Sequence, residues 1–255
     1  MNLYTEVAGA GTPLLMIHGI ISDGSFFDGC LPFLSGDYRV ITYDRRGYGR
    51  STGEDWKDFT VGTQAEDAAW VLKQYTDRKA LIFGNSAGGL VALELAFRYP
   101  DLVRGMVLLE PSLAWEEEER KKLRQWNREL NEYAEAGRIK RAMPAFTRVT
   151  GAPASGGGGS LAEMKKTFAD LKNFMYGELN EVQGYDPGLE RCRHLQIPVK
   201  VAVTEKGRES IFATSSVSGA ELAGWEIVTF PGYHNTAKDM PEEFAAALKK
   251  ALKGL

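Results

Sequence analysis

Short apolar runs alternate with amphipathic stretches along the first part of this chain, and that alternation limits the fold more than any other feature. Pro13-Leu14-Leu15-Met16-Ile17 is a continuous apolar run, followed at once by His18-Gly19. Tyr38-Arg39-Val40-Ile41-Thr42-Tyr43 is a second, and it runs into the turn Asp44-Arg45-Arg46-Gly47-Tyr48-Gly49-Arg50-Ser51. Ala80-Leu81-Ile82-Phe83 and Val103 to Leu109 complete the set. Apolar runs without polar alternation suit strands buried on both faces. Between them, the spacing of Val61, Gln64, Ala65, Ala68, Ala69 and Leu72 predicts a helix from about Thr60 to Tyr75. A further helix from Leu90 to Tyr99 stops at Pro100, which cannot continue it. Strand and helix in this order mean βαβ units. The expected fold is α/β, a mostly parallel central sheet covered by helices on both faces.

From about Ser112 to Leu195 the rhythm breaks. This stretch reads as helical and charged, with no buried-strand signal. Glu116 with Arg120, Glu117 with Lys121 and Glu118 with Lys122 are favourable i,i+4 pairs, the pattern of a solvated helix face. Within it, residues 151–160 (Gly-Ala-Pro-Ala-Ser-Gly-Gly-Gly-Gly-Ser) have the composition of a flexible hinge, and the last five have the form of an engineered linker. The alternation resumes at Val199 to Val203 and Trp225 to Phe230, and an amphipathic helix closes the chain from Pro241 to Leu252. The 255 residues therefore divide into a core of residues 1–111 and 196–255 and a helical insertion of residues 112–195.

Composition removes several classes of function. Hydrophobic residues at 44% and charged residues at 25% are ordinary for a globular protein, so disorder and coiled coil are excluded. A net charge of −3 gives no footprint for nucleic acid or an anionic membrane. No apolar run approaches the roughly 20 residues of a membrane helix. Met1 to Glu6 lacks the basic start and apolar stretch of a secretory signal. Cys30 and Cys192 are too far apart for a metal-binding pair and read as free thiols of a reducing compartment. The expectation is a cytoplasmic protein with no metal, whose partner is a small molecule. Oligomeric state leaves no mark on the sequence.

Gly84-Asn85-Ser86-Ala87-Gly88 matches G-x-S-x-G between an apolar strand and a helix. Glycines on either side let the chain turn sharply and lift the serine hydroxyl above the sheet. A hydroxyl is a poor nucleophile until a base takes its proton. The chain has 3 histidines. His194 lies at the end of the insertion with no partner evident, and His18 reads as a loop anchor. His234, in Pro231-Gly232-Tyr233-His234-Asn235, follows the last strand, where the base of this motif belongs in chain order. Acyl transfer also needs two amides for the developing oxyanion, each worth on the order of 10² to 10³ in rate. The N–H groups of Ile20 and Ala87 are the expected pair.

Ser86 in its elbow, His18-Gly19, the turn Asp44 to Ser51 and late His234 together resemble the α/β-hydrolase family, over nearly the whole chain. The resemblance puts Ser112 to Leu195 at the position of the family's cap domain and implies a Ser–His–acid hydrolase needing no cofactor. The acid departs from the common pattern. The family usually places an aspartate after the strand read here as Val199 to Val203, and Thr204-Glu205-Lys206-Gly207-Arg208-Glu209-Ser210 contains none. The other position used in the family is the end of the strand after the nucleophile helix, here Leu108-Leu109-Glu110-Pro111-Ser112. A glutamate ending an apolar strand is costly unless paired, so Glu110 is the expected acid and Glu205 the alternative. Glu110-Pro111, Glu209-Ser210-Ile211-Phe212 and Pro231 to His234 resemble the lactone hydrolases that open zearalenone.

The resulting expectation is a carboxylic ester or lactone hydrolase working through an acyl-enzyme. Gly-Asn-Ser-x-Gly-Gly also resembles the C–C bond hydrolases of aromatic degradation, and a perhydrolase is a weaker third. A ligand receptor on the same fold is a different class, separable because only an activated serine reacts with a fluorophosphonate. Trp126, Phe146, Phe174 and Tyr176, with Phe168 and Met175, are enough apolar surface to line a substrate pocket. Each can also be read as packing within the insertion.

Overall fold

The computed structural model describes residues 2–51, 58–150 and 161–255. The hinge-like segment 151–160 lies outside the described residues. Strands β1 (Thr5–Ala8), β2 (Thr12–Ile17), β3 (Tyr38–Tyr43), β4 (Ala80–Asn85), β5 (Val103–Leu109), β6 (Val199–Thr204) and β7 (Glu226–Phe230) form one 7-stranded sheet in the order β1-β3-β2-β4-β5-β6-β7. Only β1 runs antiparallel, on the edge beside β3; β2 through β7 are parallel. The sheet is therefore the mostly parallel one that the apolar runs require. β1 is the strand the sequence hides, because its four residues are half-exposed and carry no apolar run.

Side-chain parity along the strands divides the core into two layers. Leu15, Ile17, Ile41, Tyr43, Ile82, Met106 and Leu108 face one side, where they pack on α2 (Val61–Tyr75) and α3 (Ala87–Arg98). Leu14, Met16, Val40, Leu81, Phe83, Val107 and Leu109 face the other, against Phe27, Leu34 of α1 (Leu31–Leu34), and Phe244 and Leu248 of the C-terminal helix (Pro241–Leu252). Each such buried side chain contributes roughly 1.5–3 kcal/mol of transfer free energy, which fixes the register of every strand. α2 begins where Thr60 accepts a capping hydrogen bond from the Thr63 amide at 3.0 Å. α3 begins directly after Ser86, three residues before the expected Leu90, because Gly88 and Gly89 are helical here.

Between β5 and β6 the chain forms α4 (Glu117–Glu135), α5 (Met143–Thr150), α6 (Leu161–Asn173), α7 (Leu179–Gly184) and α8 (Leu189–Arg193), with a single π-helical turn over Phe174–Glu178. Trp126, Leu130, Phe146, Leu171, Phe174 and Met175 gather into a separate apolar cluster there, closed by Phe212 of α9 (Ile211–Ala223). The chain ends with α10 (Thr236–Asp239) and α11 (Pro241–Leu252). Among the described residues no helix is long and apolar enough to cross a membrane.

Candidate active site

The C-terminal ends of β4, β5 and β7 bring the sequence-selected residues to one edge of the sheet. β4 runs into Ser86, whose φ of 54° and ψ of −123° lie outside the regions open to ordinary residues. Two glycines make this turn possible. A Cβ on Gly84 would lie 2.6 Å from the Gly88 carbonyl, and one on Gly88 would lie 2.3 Å from the Ile17 carbonyl. The Ser86 amide donates to the Leu109 carbonyl at 2.8 Å, so the elbow is tied to the neighbouring strand. Ser86 Oγ itself has no hydrogen-bond partner among the described residues.

Glu110 directly follows β5 with φ of 46°, fully buried. One carboxylate oxygen, Oε1, accepts from the Thr204 amide at 2.8 Å and the Thr204 hydroxyl at 2.6 Å. The other, Oε2, lies 2.5 Å from His234 Nδ1. Burial pushes this carboxyl up, but the His234 contact and the two Thr204 hydrogen bonds outweigh it and hold the group below its ordinary value. Glu110 therefore remains an anion. Since Glu110 accepts at Oε2, His234 carries a proton on Nδ1, and in the neutral ring Nε2 is then the nitrogen left to accept. The ring of Phe212 packs 5.4 Å from the imidazole.

Glu205, the alternative acid, is exposed and has no side-chain partner among the described residues. Its backbone only continues the β6–β7 pairing, donating to the Phe230 carbonyl at 2.9 Å. Thr204, not singled out from sequence, closes the Glu110 carboxylate from the position where the family pattern calls for an aspartate. Its only sequence signal was the missing aspartate beside it.

Ile20 and Ala87 stand on the two segments that meet at the elbow. Ala87 opens α3, so its amide is among those a helix leaves without an intrahelical partner. The Ile20 amide has no partner among the described residues. Gly19 packs so tightly on the elbow that a Cβ there would lie 3.2 Å from Ser86 Cβ. His18 anchors this loop. Its Nδ1 donates to the Gly19 carbonyl at 2.8 Å and its Nε2 accepts from the Arg45 amide at 2.9 Å. Burial, reinforced by the Arg45 charge, drives the His18 pKa well below its ordinary value, which suits the neutral ring that both contacts demand. His194 is exposed directly after α8, its Nδ1 2.7 Å from the Glu190 carbonyl.

The aromatic residues separate into two groups. Trp126 meets Phe146 and Phe212 edge-on, each at 5.4 Å, and Phe146 meets Phe174 at 5.6 Å. A chain of rings thus leads from the inserted helices to His234. Trp126 Nε1 is buried within it without a hydrogen-bond partner among the described residues. Tyr176 is not in this chain: it is 57% exposed, and its hydroxyl donates to the Ala134 carbonyl at 3.1 Å. Phe168 is exposed as well, while Met175 is buried with the cluster. A cavity of about 300 Å³ opens between the core and the inserted helices, lined by Leu90, Ser112, Leu113, Trp115, Leu123 and Tyr185 among others.

Other nucleophiles are silent. Cys30 and Cys192 are unpaired and buried, and burial pushes both thiols up to about 12. Among the described residues no group of three or more His, Cys, Asp or Glu side chains could hold a metal ion.

The family model for the alpha/beta hydrolase fold matches residues 12–172. The chain belongs to this family. A solved hydrolase from Pseudomonas aeruginosa PA01 shares the fold with a TM-score of 0.77 at 22% identity, over 98% of this chain and 93% of that one. Among curated relatives, an uncharacterised hydrolase from Bacillus subtilis is 35% identical over 113 residues, 44% of this chain and 42% of that protein. A pimeloyl-[acyl-carrier protein] methyl ester esterase from Aliivibrio salmonicida is 35% identical over 111 residues, 44% of this chain and 40% of that protein. Both matches span less than half the length of the relative. What this α/β hydrolase shares with them is a region, not a whole molecule.

Proposed function

We propose that this α/β hydrolase cleaves a carboxylic ester or lactone of a small molecule through an acyl-enzyme on Ser86. His234 is the base, Glu110 the acid, and residues 112–195 form the cap that shapes the substrate. The observation that carries this reading is the 2.5 Å contact between Glu110 Oε2 and His234 Nδ1. Glu110 has its remaining oxygen satisfied by Thr204, so it is oriented and charged before any substrate arrives. Burying an anion is costly, and its one evident use here is to fix the tautomer of His234 and stabilise its imidazolium.

The steps follow from those atoms. Nε2 of His234 takes the Ser86 proton as Oγ adds to the substrate carbonyl, and the oxyanion rests on the Ile20 and Ala87 amides. The carbonyl re-forms as the C–O bond to the leaving alcohol breaks, and His234 returns its proton to that oxygen. Water, deprotonated by the same nitrogen, then attacks the acyl-enzyme and releases the acid, restoring Ser86. Two further features support the reading: the esterase relative and the aromatic chain ending at His234.

The test is a p-nitrophenyl ester series beside a set of lactones, with a fluorophosphonate probe. The wild type is expected to label once per chain and to release a stoichiometric burst of p-nitrophenol. Ser86→Ala is expected to lose labelling and on the order of 10⁵ to 10⁶ in turnover with its circular dichroism unchanged. Near-wild-type turnover in that variant overturns the mechanism. A wild type that never labels points to a binding protein instead.

A further inference from the structure

A second buried polar cluster lies behind the site and includes no reacting group. Its centre is Arg45, 1% exposed, two residues past the end of β3. Arg45 Nη1 pairs with Glu178 Oε1 and donates to Gln64 Oε1. Tyr48 donates its hydroxyl to Glu178 Oε2, and Gln64 Nε2 donates to Glu178 Oε1 at 2.9 Å. Glu178 is fully buried at the last position of the π-helical turn Phe174–Glu178, within the inserted helices. This ion pair therefore joins the insertion to the core across 133 residues of sequence.

The other end of Arg45 reaches the site. Its Nη2 donates to the Gly19 carbonyl at 2.8 Å, the oxygen that also accepts from His18 Nδ1 at 2.8 Å. That carbonyl belongs to the same planar peptide unit as the Ile20 N–H. In a trans peptide the two point in opposite directions, so clamping the oxygen fixes where the N–H aims. Stability alone is a poor explanation for the arrangement. A buried ion pair is weak support for a fold, and Arg45 Nε is left buried with no partner among the described residues.

We propose that Arg45 and Glu178 are positioning residues that tie docking of the inserted helices to the orientation of the Gly19–Ile20 peptide, and so to completion of the oxyanion site. The inference rests on the serine-hydrolase reading for its catalytic consequence only. With the insertion docked, Glu178 neutralises Arg45 and holds it against the Gly19 carbonyl. With Glu178 withdrawn or uncharged, the guanidinium is a buried cation without a counter-charge. It then leaves for water, and the Gly19–Ile20 peptide loses one of its two anchors. The one-turn π segment that presents Glu178 suits this duty, since such turns re-aim a side chain at functional positions.

Glu178→Gln keeps the shape and removes the charge. On an activated ester it is expected to lower kcat by about 10- to 100-fold, with KM within about threefold of wild type, because only the transition state uses the oxyanion donors. Fluorophosphonate labelling is expected to slow in parallel. Hydrogen exchange gives a readout independent of activity: the Ile20–Ile21 amides are expected to exchange at least about 10-fold faster, with β4 and β5 unchanged. Glu178→Asp is expected to recover part of each effect. If Glu178→Gln does not fold, Tyr48→Phe, which removes a single donor to Glu178, is expected to shift the same readouts in the same direction by less. The inference is overturned if exchange at Ile20 is unchanged, or if KM alone rises. It is also overturned if exchange rises uniformly over the whole chain. A wild type without esterase activity whose Ile20 exchange still responds to Glu178→Gln would retain the coupling and reject the hydrolase reading.

Discussion

The strand ends and the inserted helices both bury polar atoms, and they treat them in opposite ways. At the strand ends Glu110 and His18 are each held at both polar atoms of the side chain. Glu110 is saturated by Thr204 and His234, and His18 uses both ring nitrogens. In the inserted helices, apart from Glu178 and Asp170, the buried surface is largely aromatic and aliphatic, and the indole N–H of Trp126 has no partner among the described residues. A saturated network admits one arrangement. An apolar cluster tolerates repacking so long as its volume is filled. The contrast suits a division in which the sheet fixes the chemistry and the insertion fits the substrate.

The sharpest way to break that division is the acid. Glu110→Gln keeps the side-chain shape but cannot hold His234 as an anion does, and turnover on one activated ester is expected to fall by about 10⁴. Glu205→Gln is expected to lose less than about tenfold, since that side chain is exposed and contacts nothing described. The reverse pattern would move the acid to the loop after β6 and dissolve the comparison.

The insertion can be probed through stability. Phe174 is fully buried in the aromatic cluster, and Phe174→Ala is expected to destabilise by about 3–5 kcal/mol in a denaturant titration. Tyr176→Ala, two residues on, is expected to change stability by less than about 1 kcal/mol. Equal effects at the two positions would mean that the cluster is not the insertion's core.

The smallest effect concerns pH. Asp170, on α6, is buried, and burial raises its carboxyl from 3.8 to about 6 even though Lys166 and the Gly49 amide pull the other way. A folded-state pKa above the unfolded value means that the folded state binds the proton more tightly. Its contribution to stability is complete below about pH 4 and is lost as pH rises through about 6. At pH 7 the ionised group opposes folding by at most about 3 kcal/mol. Asp170→Asn is therefore expected to raise Tm at pH 7 by the equivalent of about 1–2 kcal/mol and to give no gain at pH 4. A gain that is the same at both pH values would show that the carboxylate charge is not the cause.

How much of this was legible follows from how local each signal is. The buried strands announce themselves because both faces are apolar, and Ser86, His234 and Glu110 each stand at the end of such a run or just beyond one. Gly88 and Gly89 read as loop, yet they open α3, because the elbow needs small residues where helix and strand cross. In sequence Tyr176 groups with Phe174 as apolar surface of the insertion, but the π turn Phe174–Glu178 alters the periodicity, and Tyr176 faces outward. The Arg45–Glu178 pair was invisible for a different reason. In a chain with 31 Lys and Arg and 34 Asp and Glu, nothing local marks which two of them will meet in the interior.

Placing the acid at the end of β5 also decides which part of the chain is free to change. Ser86 and Glu110 directly follow the adjacent strands β4 and β5, which the Ser86–Leu109 hydrogen bond joins at their ends, so sheet register sets their spacing. On the proposed assignment the turn after β6 carries no reacting group. Its base is pinned where the Lys206 amide donates to the Gly232 carbonyl at 2.9 Å, and its tip, Arg208 and Glu209, is exposed. That tip is a graft point. An added loop or recognition peptide there would give a lineage or an engineer new binding surface while the reacting atoms kept their spacing.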